Sequence, residues 1–147
     1  MFKNILVPTD GSQLSADTAK RAISFAKETG ARIVFFFAKP EYPVAFYGEG
    51  ALIDPTTPEQ FADMAEKQAR EIVDACEAMA RATGVSASSV CVTSDVPYEA
   101  IIEAANSAGC DLIFMASHGR KGISGLLLGS ETQKVLTHSR IPVLVYR

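Results

Sequence analysis

The sequence predicts an α/β fold, a five-stranded parallel sheet with helices on both faces. Short apolar runs alternate with stretches whose apolar residues recur at helical spacing, in the order βαβαβαβαβ. The apolar runs are continuous, which is typical of strands covered on both faces. The length of 147 residues suits a single domain, so we expect one domain over residues 1–147.

The elements follow from these patterns in order. Strands are predicted at residues 2–7, 33–38, 89–93, 112–116 and 141–146. The intervening segments carry apolar residues three or four apart, and glycines at positions 30, 84 and 109 suit the ends of the first three helices. Pro142 lacks an N–H donor, so we expect it at the beginning of the last strand or on an edge strand.

Two helices begin with a recognisable signal. Thr57, Pro58 and Gln60 combine an N-cap, a proline at the first helical position and a capping-box glutamine. Ser130 and Gln133 repeat the capping-box spacing. We therefore expect Ser130 to be the N-cap of the last helix.

A long irregular stretch, residues 39–57, separates the second strand from the second helix. It carries prolines and glycines together with Tyr42, Phe46 and Tyr47, without a helical or strand period. Loops this long often serve as lids or binding loops. We expect a lid or a partner surface here, with the aromatic residues packing within the loop or at a dimer contact.

Composition and charge exclude several classes of function. The net charge of −3 argues against nucleic acid or an anionic membrane as the main partner. The three cysteines, at positions 76, 91 and 110, lack metal-ligand spacing and are expected to be reduced, small apolar residues. No apolar run approaches the ~20 residues of a membrane span, and the N-terminus lacks the features of a signal peptide. We expect a cytoplasmic protein that binds no metal directly.

Two strand ends carry unusual loops. Ligands of open parallel sheets bind at the carboxyl ends of the strands, where the strand order reverses. The loop after the first strand offers the carboxylate of Asp10, and the loop after the fourth strand offers glycines with Arg120 and Lys121. Gly129 and Ser130 begin a helix, whose N-terminus favours an anion. A carboxylate opposite a phosphate cradle suits a nucleotide, although neither a Walker motif nor a GxGxxG fingerprint is present.

The two loops carry a double motif. Residues 5–12, Ile-Leu-Val-Pro-Thr-Asp-Gly-Ser, resemble the first strand and loop of the universal stress protein family. Residues 116–119, Ala-Ser-His-Gly, followed by nine residues and then Gly129-Ser130, resemble its ATP-binding signature, Gly-x2-Gly-x9-Gly-Ser/Thr. Ala116 stands where the signature has its first glycine. The extra methyl group would crowd a ligand that approaches the backbone, or be harmless if φ stays negative.

The resemblance implies a fold, a ligand and an assembly. The fold is doubly wound and adenine-nucleotide alpha-hydrolase-like, with strand order 3-2-1-4-5. The ligand is ATP, or AMP or ADP, with Mg²⁺ on the phosphates, and the function lies in stress response. The assembly is a homodimer through the last strand, residues 141–146. The nucleotide-binding residues implied are Pro8, Thr9, Asp10, Ala38, Met115, Ala116, His118, Gly119, Arg120, Gly129, Ser130, Glu131 and Thr132.

Structural roles compete with these binding roles. Asp10 can cap the following helix or stabilise its turn, and Arg120 can belong to an ordinary solvated loop. A triad of Ser117, His118 and Asp10 is disfavoured, because adjacent Ser and His side chains are expected to point apart and no GxSxG elbow exists. We assign no catalytic residue.

Three classes of function stay open. The first is a nucleotide-dependent sensor or chaperone-like stress factor. The second is a slow ATPase, for which only Asp10 and Glu131 are placed by sequence to hold Mg²⁺ or activate water. The third is a nucleotide-free interaction protein of the same fold, in which Ala116 and the bulky residues 35–37 close the pocket.

Overall fold

The computed structural model describes residues 1–43, 56–119 and 127–147. Its strands are β1 (Asn4–Pro8), β2 (Arg32–Lys39), β3 (Ala87–Thr93), β4 (Leu112–Ala116) and β5 (Val143–Tyr146). Its helices are α1 (Gln13–Thr29), α2 (Pro58–Ala82), α3 (Pro97–Ser107) and α4 (Ser130–His138). The five strands form one parallel sheet in the order β3-β2-β1-β4-β5. The doubly wound fold with strand order 3-2-1-4-5 is therefore confirmed.

Both faces of the sheet are covered, which explains the continuous apolar runs. In β1, Ile5 and Val7 pack with α1 and α2, whereas Leu6 faces the opposite side and packs with α3 and α4. All three side chains are fully buried. A strand with helices on both faces needs an apolar residue at every position, because neither face meets water.

The strand ends differ from prediction by a few residues. β5 begins at Val143 rather than Ile141, because Pro142 has no N–H to donate to the ladder. The carbonyl of Pro142 still accepts from Ile113 N at 2.9 Å, so the proline lies just before the edge strand, as expected. β3 begins two residues earlier than predicted, at Ala87, since its serines sit on the half-buried edge of the sheet.

The predicted N-cap of α2 is confirmed, and the predicted N-cap of α4 is wrong. Thr57 caps α2: its hydroxyl accepts from Gln60 N at 3.1 Å, and the Gln60 side chain accepts from Thr57 N at 3.2 Å. Ser130 is not the N-cap of α4 but its first helical residue, and Gly129 is the cap. Gly129 is fixed there because its N–H donates to Ser117 O at 2.7 Å, and its extended backbone then turns into the helix.

The long loop is described only at its two ends. Lys39 belongs to β2 and Thr57 to the start of α2, while residues 44–55, including Phe46 and Tyr47, lie outside the described residues. Tyr42 packs edge-on against Phe61 with ring centroids 5.5 Å apart, and its hydroxyl donates to Thr56 O at 2.7 Å. In the described parts of the chain, no helix combines the length and apolarity needed to cross a bilayer.

Candidate functional site

A crevice of about 510 Å³ opens at the carboxyl ends of the central strands. It lies over β1 and β4, where the strand order reverses, which is where open α/β sheets bind their ligands. Its lining includes Pro8, Thr9, Asp10, Ala38, Met115, Ala116, His118, Gly119, Gly129, Ser130, Glu131 and Thr132. The structure thus brings together every predicted site residue in the part it describes. Arg120 and Lys121 lie outside the described residues.

The first loop is held by its own polar side chains. The carboxylate of Asp10 accepts from Ser12 N at 2.9 Å, which stabilises the turn. Ser12 itself caps α1, its hydroxyl accepting from Ser15 N at 3.2 Å. The alternative that Asp10 caps this helix is therefore wrong, and the alternative that it stabilises the turn is correct. Thr9, 7% exposed, is fixed by a 3.1 Å hydrogen bond between its hydroxyl and that of Ser15.

The loop after β4 meets this first loop at Gly119. A Cβ atom on Gly119 would lie 2.7 Å from Oδ2 of Asp10, closer than real Cβ contacts come. Glycine is therefore what allows the Asp10 carboxylate to lie against the backbone of the second loop. The second glycine of the signature thus leaves room for the carboxylate of the first motif.

A side chain at position 129 would meet the backbone of the loop and the Cβ atom attached to it. A Cβ there would lie 3.0 Å from Cα of His118, 3.2 Å from its Cβ and 3.3 Å from Ser117 O. The Gly129 N–H···O=C bond to Ser117 closes the loop between β4 and α4. A larger residue at position 129 would have to displace the backbone at Ser117 and His118.

Ala116 adopts an ordinary backbone conformation. It is the last residue of β4, and no residue other than glycine has a positive φ in the described ranges. Its carbonyl accepts from the hydroxyl of Thr132 at 3.0 Å, and Thr132 is 3% exposed. The backbone therefore does not need the glycine that the signature has here, and the Thr132 side chain joins α4 to the end of β4.

The N-terminus of α4 has no side-chain cap, whereas that of α3 has a distant one. Gly129 is the N-cap of α4, and no side chain of the described residues forms a capping hydrogen bond there. Glu131, in the first turn of α4, instead accepts from Tyr98 N at 2.9 Å, in the first turn of α3, and Lys134 Nζ lies 3.2 Å from its other oxygen. The Glu131 carboxylate is thus directed at the positive end of α3.

The expectation that the side chains of Ser117 and His118 point apart is wrong. The Ser117 hydroxyl lies 3.2 Å from Nδ1 of His118, so the two adjacent side chains do not point apart. Ser117 is only 5% exposed, and its backbone N–H and carbonyl hold Tyr146 O and Gly129 N. A nucleophile must reach its substrate, so this buried hydroxyl forms a structural pair with the histidine.

The phenylalanine run does not close the crevice. Phe36 lines it, while Phe35 and Phe37 face the side of the sheet covered by α1 and α2. Alternation along β2 directs these neighbours to opposite faces. Within the described residues, no group of three or more His, Cys, Asp or Glu side chains is arranged to hold a metal ion.

Five lining residues were missed from the sequence: Ser15, Phe36, Asp95, Pro97 and Ile101. Asp95 lies in the loop after β3 and Pro97 begins α3 directly after that loop, at the same edge of the sheet. The strand-end rule, applied to every strand, would have found these two. Phe36 and Ile101 are contacts of helix with sheet that no sequence signal marks.

Known proteins match the whole chain. The family model described as "Universal stress protein family" matches residues 1–147. A universal stress protein of Thermus aquaticus is 36% identical over 152 residues, which cover 100% of both chains. The solved structure of MJ0577, a universal stress protein of Methanocaldococcus jannaschii, superposes with a TM-score of 0.79 at 26% identity, covering 99% of this chain and 95% of that one.

Two further structures share the fold and hold nucleotides. One is a universal stress protein in complex with cAMP, with a TM-score of 0.70 at 24% identity, covering 99% of this chain and 97% of that one. The other, from Archaeoglobus fulgidus, is in complex with dAMP, with a TM-score of 0.68 at 16% identity, covering 99% and 98%. The double motif, the sheet order and the full-length match agree, and the chain belongs to the universal stress protein family.

Proposed function

We propose that this protein binds an adenine nucleotide, ATP in the first place, in the crevice over β1 and β4, and acts in the stress response through the occupancy of that site. The observation that carries the proposal is the pairing of the Asp10 carboxylate with the glycine-closed loop and uncapped helix end after β4. Solved family members that hold cAMP and dAMP support it.

The two sides of the crevice offer opposite chemistry. The backbone N–H groups of Ser130, Glu131 and Thr132 lie at the positive end of α4 and suit phosphate oxygens. Asp10 is an acceptor of hydrogen bonds and suits the ribose hydroxyls. The Glu131 carboxylate accepts a hydrogen bond from Tyr98 N and is paired with Lys134, which weakens its repulsion of a polyphosphate at this helix end.

The nucleotide is proposed to bind as a complex with Mg²⁺ held by its own phosphates and by water, as Mg²⁺ often is. Of the two carboxylates considered for an ATPase, Glu131 is committed to Tyr98 and Lys134, which leaves little machinery for activating water. We therefore propose a binding protein rather than an enzyme with rapid turnover. Release of ADP over hours of incubation with ATP and Mg²⁺, lost in Asp10→Asn, would instead establish a slow ATPase.

A homodimer through residues 141–146 is part of the proposal. β5 is an edge strand whose four side chains are all half-buried, and an exposed apolar edge invites pairing with a second copy. Leu144 and Tyr146 pack into the α1–α2 side of the core and Val143 into the other side, so Val145 is the position to change. Val145→Lys is expected to convert a dimer into a monomer in sedimentation, and a wild-type monomer would contradict the proposal.

The test of binding is mass spectrometry of small molecules released from the denatured protein, followed by calorimetry with ATP and Mg²⁺. Asp10→Asn retains a carbonyl oxygen for Ser12 N but loses the charge. We expect its dissociation constant to rise about 10- to 100-fold, the value of hydrogen bonds to a charged group. Asp63→Asn, an identical change on the exposed surface of α2, is the matched control.

Binding that the control retains and Asp10→Asn weakens supports the proposal. A wild-type protein that releases no nucleotide and gives no heat with millimolar ATP and Mg²⁺ contradicts it. That result would favour a nucleotide-free interaction or chaperone-like protein of the same fold.

A further inference from the structure

We propose that Asp95 makes the crevice selective for a base that bears an exocyclic amino group, adenine rather than a 6-unsubstituted purine. This inference rests on the proposed function and names the residue that would set its base specificity. Asp95 lies in the loop between β3 and α3 and lines the crevice, although no sequence motif marks it.

The crevice has one end suited to phosphate and one suited to a base. The phosphate end follows β4, at the start of α4. The opposite end is formed by residues from β2, from the loop after β3 and from the start of α3, and β2 lies two strands away from β4. With neighbouring strands about 4.8 Å apart, the two ends are separated by about 10 Å, which matches the distance from the base of a nucleotide to its phosphates.

The lining of this far end is apolar except for one charge. Phe36, Ala38, Pro97 and Ile101 provide flat and aliphatic surface, which suits a purine ring. Asp95 is the charged side chain among them, so it is placed to fix the orientation of whatever ring lies there. An ionised carboxylate only accepts hydrogen bonds. The edge of the base that faces it must therefore donate, as the 6-amino group of adenine does.

Asp95 is solvent-exposed, and one hydrogen bond orients its carboxylate. Its Oδ1 accepts from Glu41 N at 3.0 Å, and the neighbouring Ser94 N donates to Lys39 O at 2.9 Å, so the loop after β3 is tied to the chain leaving β2. Each carboxylate oxygen can accept more than one hydrogen bond, so a second donor can be accommodated. A positioned acceptor discriminates better than a mobile one, since less side-chain freedom is lost on binding.

The experiment compares two ligands that differ only in the amino group: ATP and purine riboside 5′-triphosphate, each with Mg²⁺, in calorimetry. For the wild type we expect ATP to bind about 10-fold or more tightly, as a hydrogen bond to a charged group would give. Asp95→Ala should bring the two dissociation constants within about 3-fold by weakening ATP alone, and Asp95→Asn should fall between. Asp63→Ala should match the wild type, and thermal unfolding of each variant checks its fold.

A merely structural role would move both ligands together. If Asp95→Ala weakens ATP and the purine riboside triphosphate equally, or if the wild type binds them equally, the inference is overturned and the proposed nucleotide site stands. If neither ligand binds the wild type, the proposed function fails and this inference fails with it.

Discussion

Replacing Gly129 with alanine tests whether the signature glycine serves the fold even before any ligand binds. Its φ of −61° and ψ of 152° are conformations that any residue adopts, so alanine meets no backbone strain. The added methyl group, however, would lie 3.0 Å from Cα and 3.2 Å from Cβ of His118. These atoms belong to the backbone or are attached directly to it, so no side-chain rotation relieves the contact.

The magnitude follows from two opposing terms. Overfilling a packed site typically costs about 1–3 kcal/mol. Replacing glycine by alanine at a compatible backbone conformation stabilises by about 0.4–1 kcal/mol, because the unfolded chain loses freedom. We expect Gly129→Ala to lower the free energy of unfolding by about 1–2 kcal/mol without nucleotide. For a chain of this length that corresponds to about 2–8 °C in melting temperature.

Urea unfolding of the nucleotide-free protein measures the effect, provided that the m-value stays unchanged. Gly119→Ala is the informative comparison, because its methyl group would meet the Asp10 side chain, which can rotate away. Gly119→Ala should therefore retain most of its stability and instead weaken ATP binding by displacing Asp10. A Gly129→Ala variant as stable as the wild type, weakened only in binding, would refute the packing argument.

Three further outcomes are expected. Thr132→Val removes the buried hydroxyl that donates to the last carbonyl of β4, and should cost about 1–3 kcal/mol of stability in urea unfolding. The hydrogen bond from the Lys39 ammonium lowers the pKa of Glu66 below its ordinary value of 4.5. The wild type should therefore be more stable than Glu66→Gln at pH 7, and this difference should vanish as the pH falls through the lowered pKa. Unfolding at pH 7 and pH 3 measures it. Burial raises the pKa of all three thiols, to about 11 for the buried Cys76 and Cys110. At pH 8 a thiol reagent should therefore label the half-buried Cys91 first, as peptide mapping would show.

Periodicity was enough to predict a parallel sheet with helices on both faces because both faces of this sheet are apolar, whereas the strand order 3-2-1-4-5 came from the resemblance to the family. The residues from Ile5 to Val7 are all apolar, so the sequence predicts a parallel strand that is covered on both faces. The ends of the elements were harder to predict. Pro142 was recognised as unable to donate, yet only the structure shows that the ladder begins after it and that its carbonyl still takes part.

The resemblance to the family implies the site residues as a group, but it does not imply their contacts with one another. Asp10 and Gly119 are more than a hundred residues apart, and nothing in the local sequence shows that one lies against the other. The capping-box spacing favoured Ser130 as a cap because it resembles the spacing at Thr57. A tertiary hydrogen bond, Gly129 N–H to Ser117 O, moved the helix start by one residue.

That one-residue shift changes the helix end at which we propose that an anion binds. The hydroxyl of a serine at the N-cap would have accepted a hydrogen bond from one of the first N–H groups of α4. With Gly129 at the cap, the described side chains leave this helix end uncapped, while the nearest carboxylate, that of Glu131, satisfies the N-terminus of α3 instead. The N-termini of α3 and α4 both border the crevice. Glu131 accepts a hydrogen bond at the N-terminus of α3, whereas no described side chain caps the N-terminus of α4. The anion that we propose at α4 would then not compete with a capping side chain from the described residues, and it would lie beside the loop that sets Asp10 against Gly119.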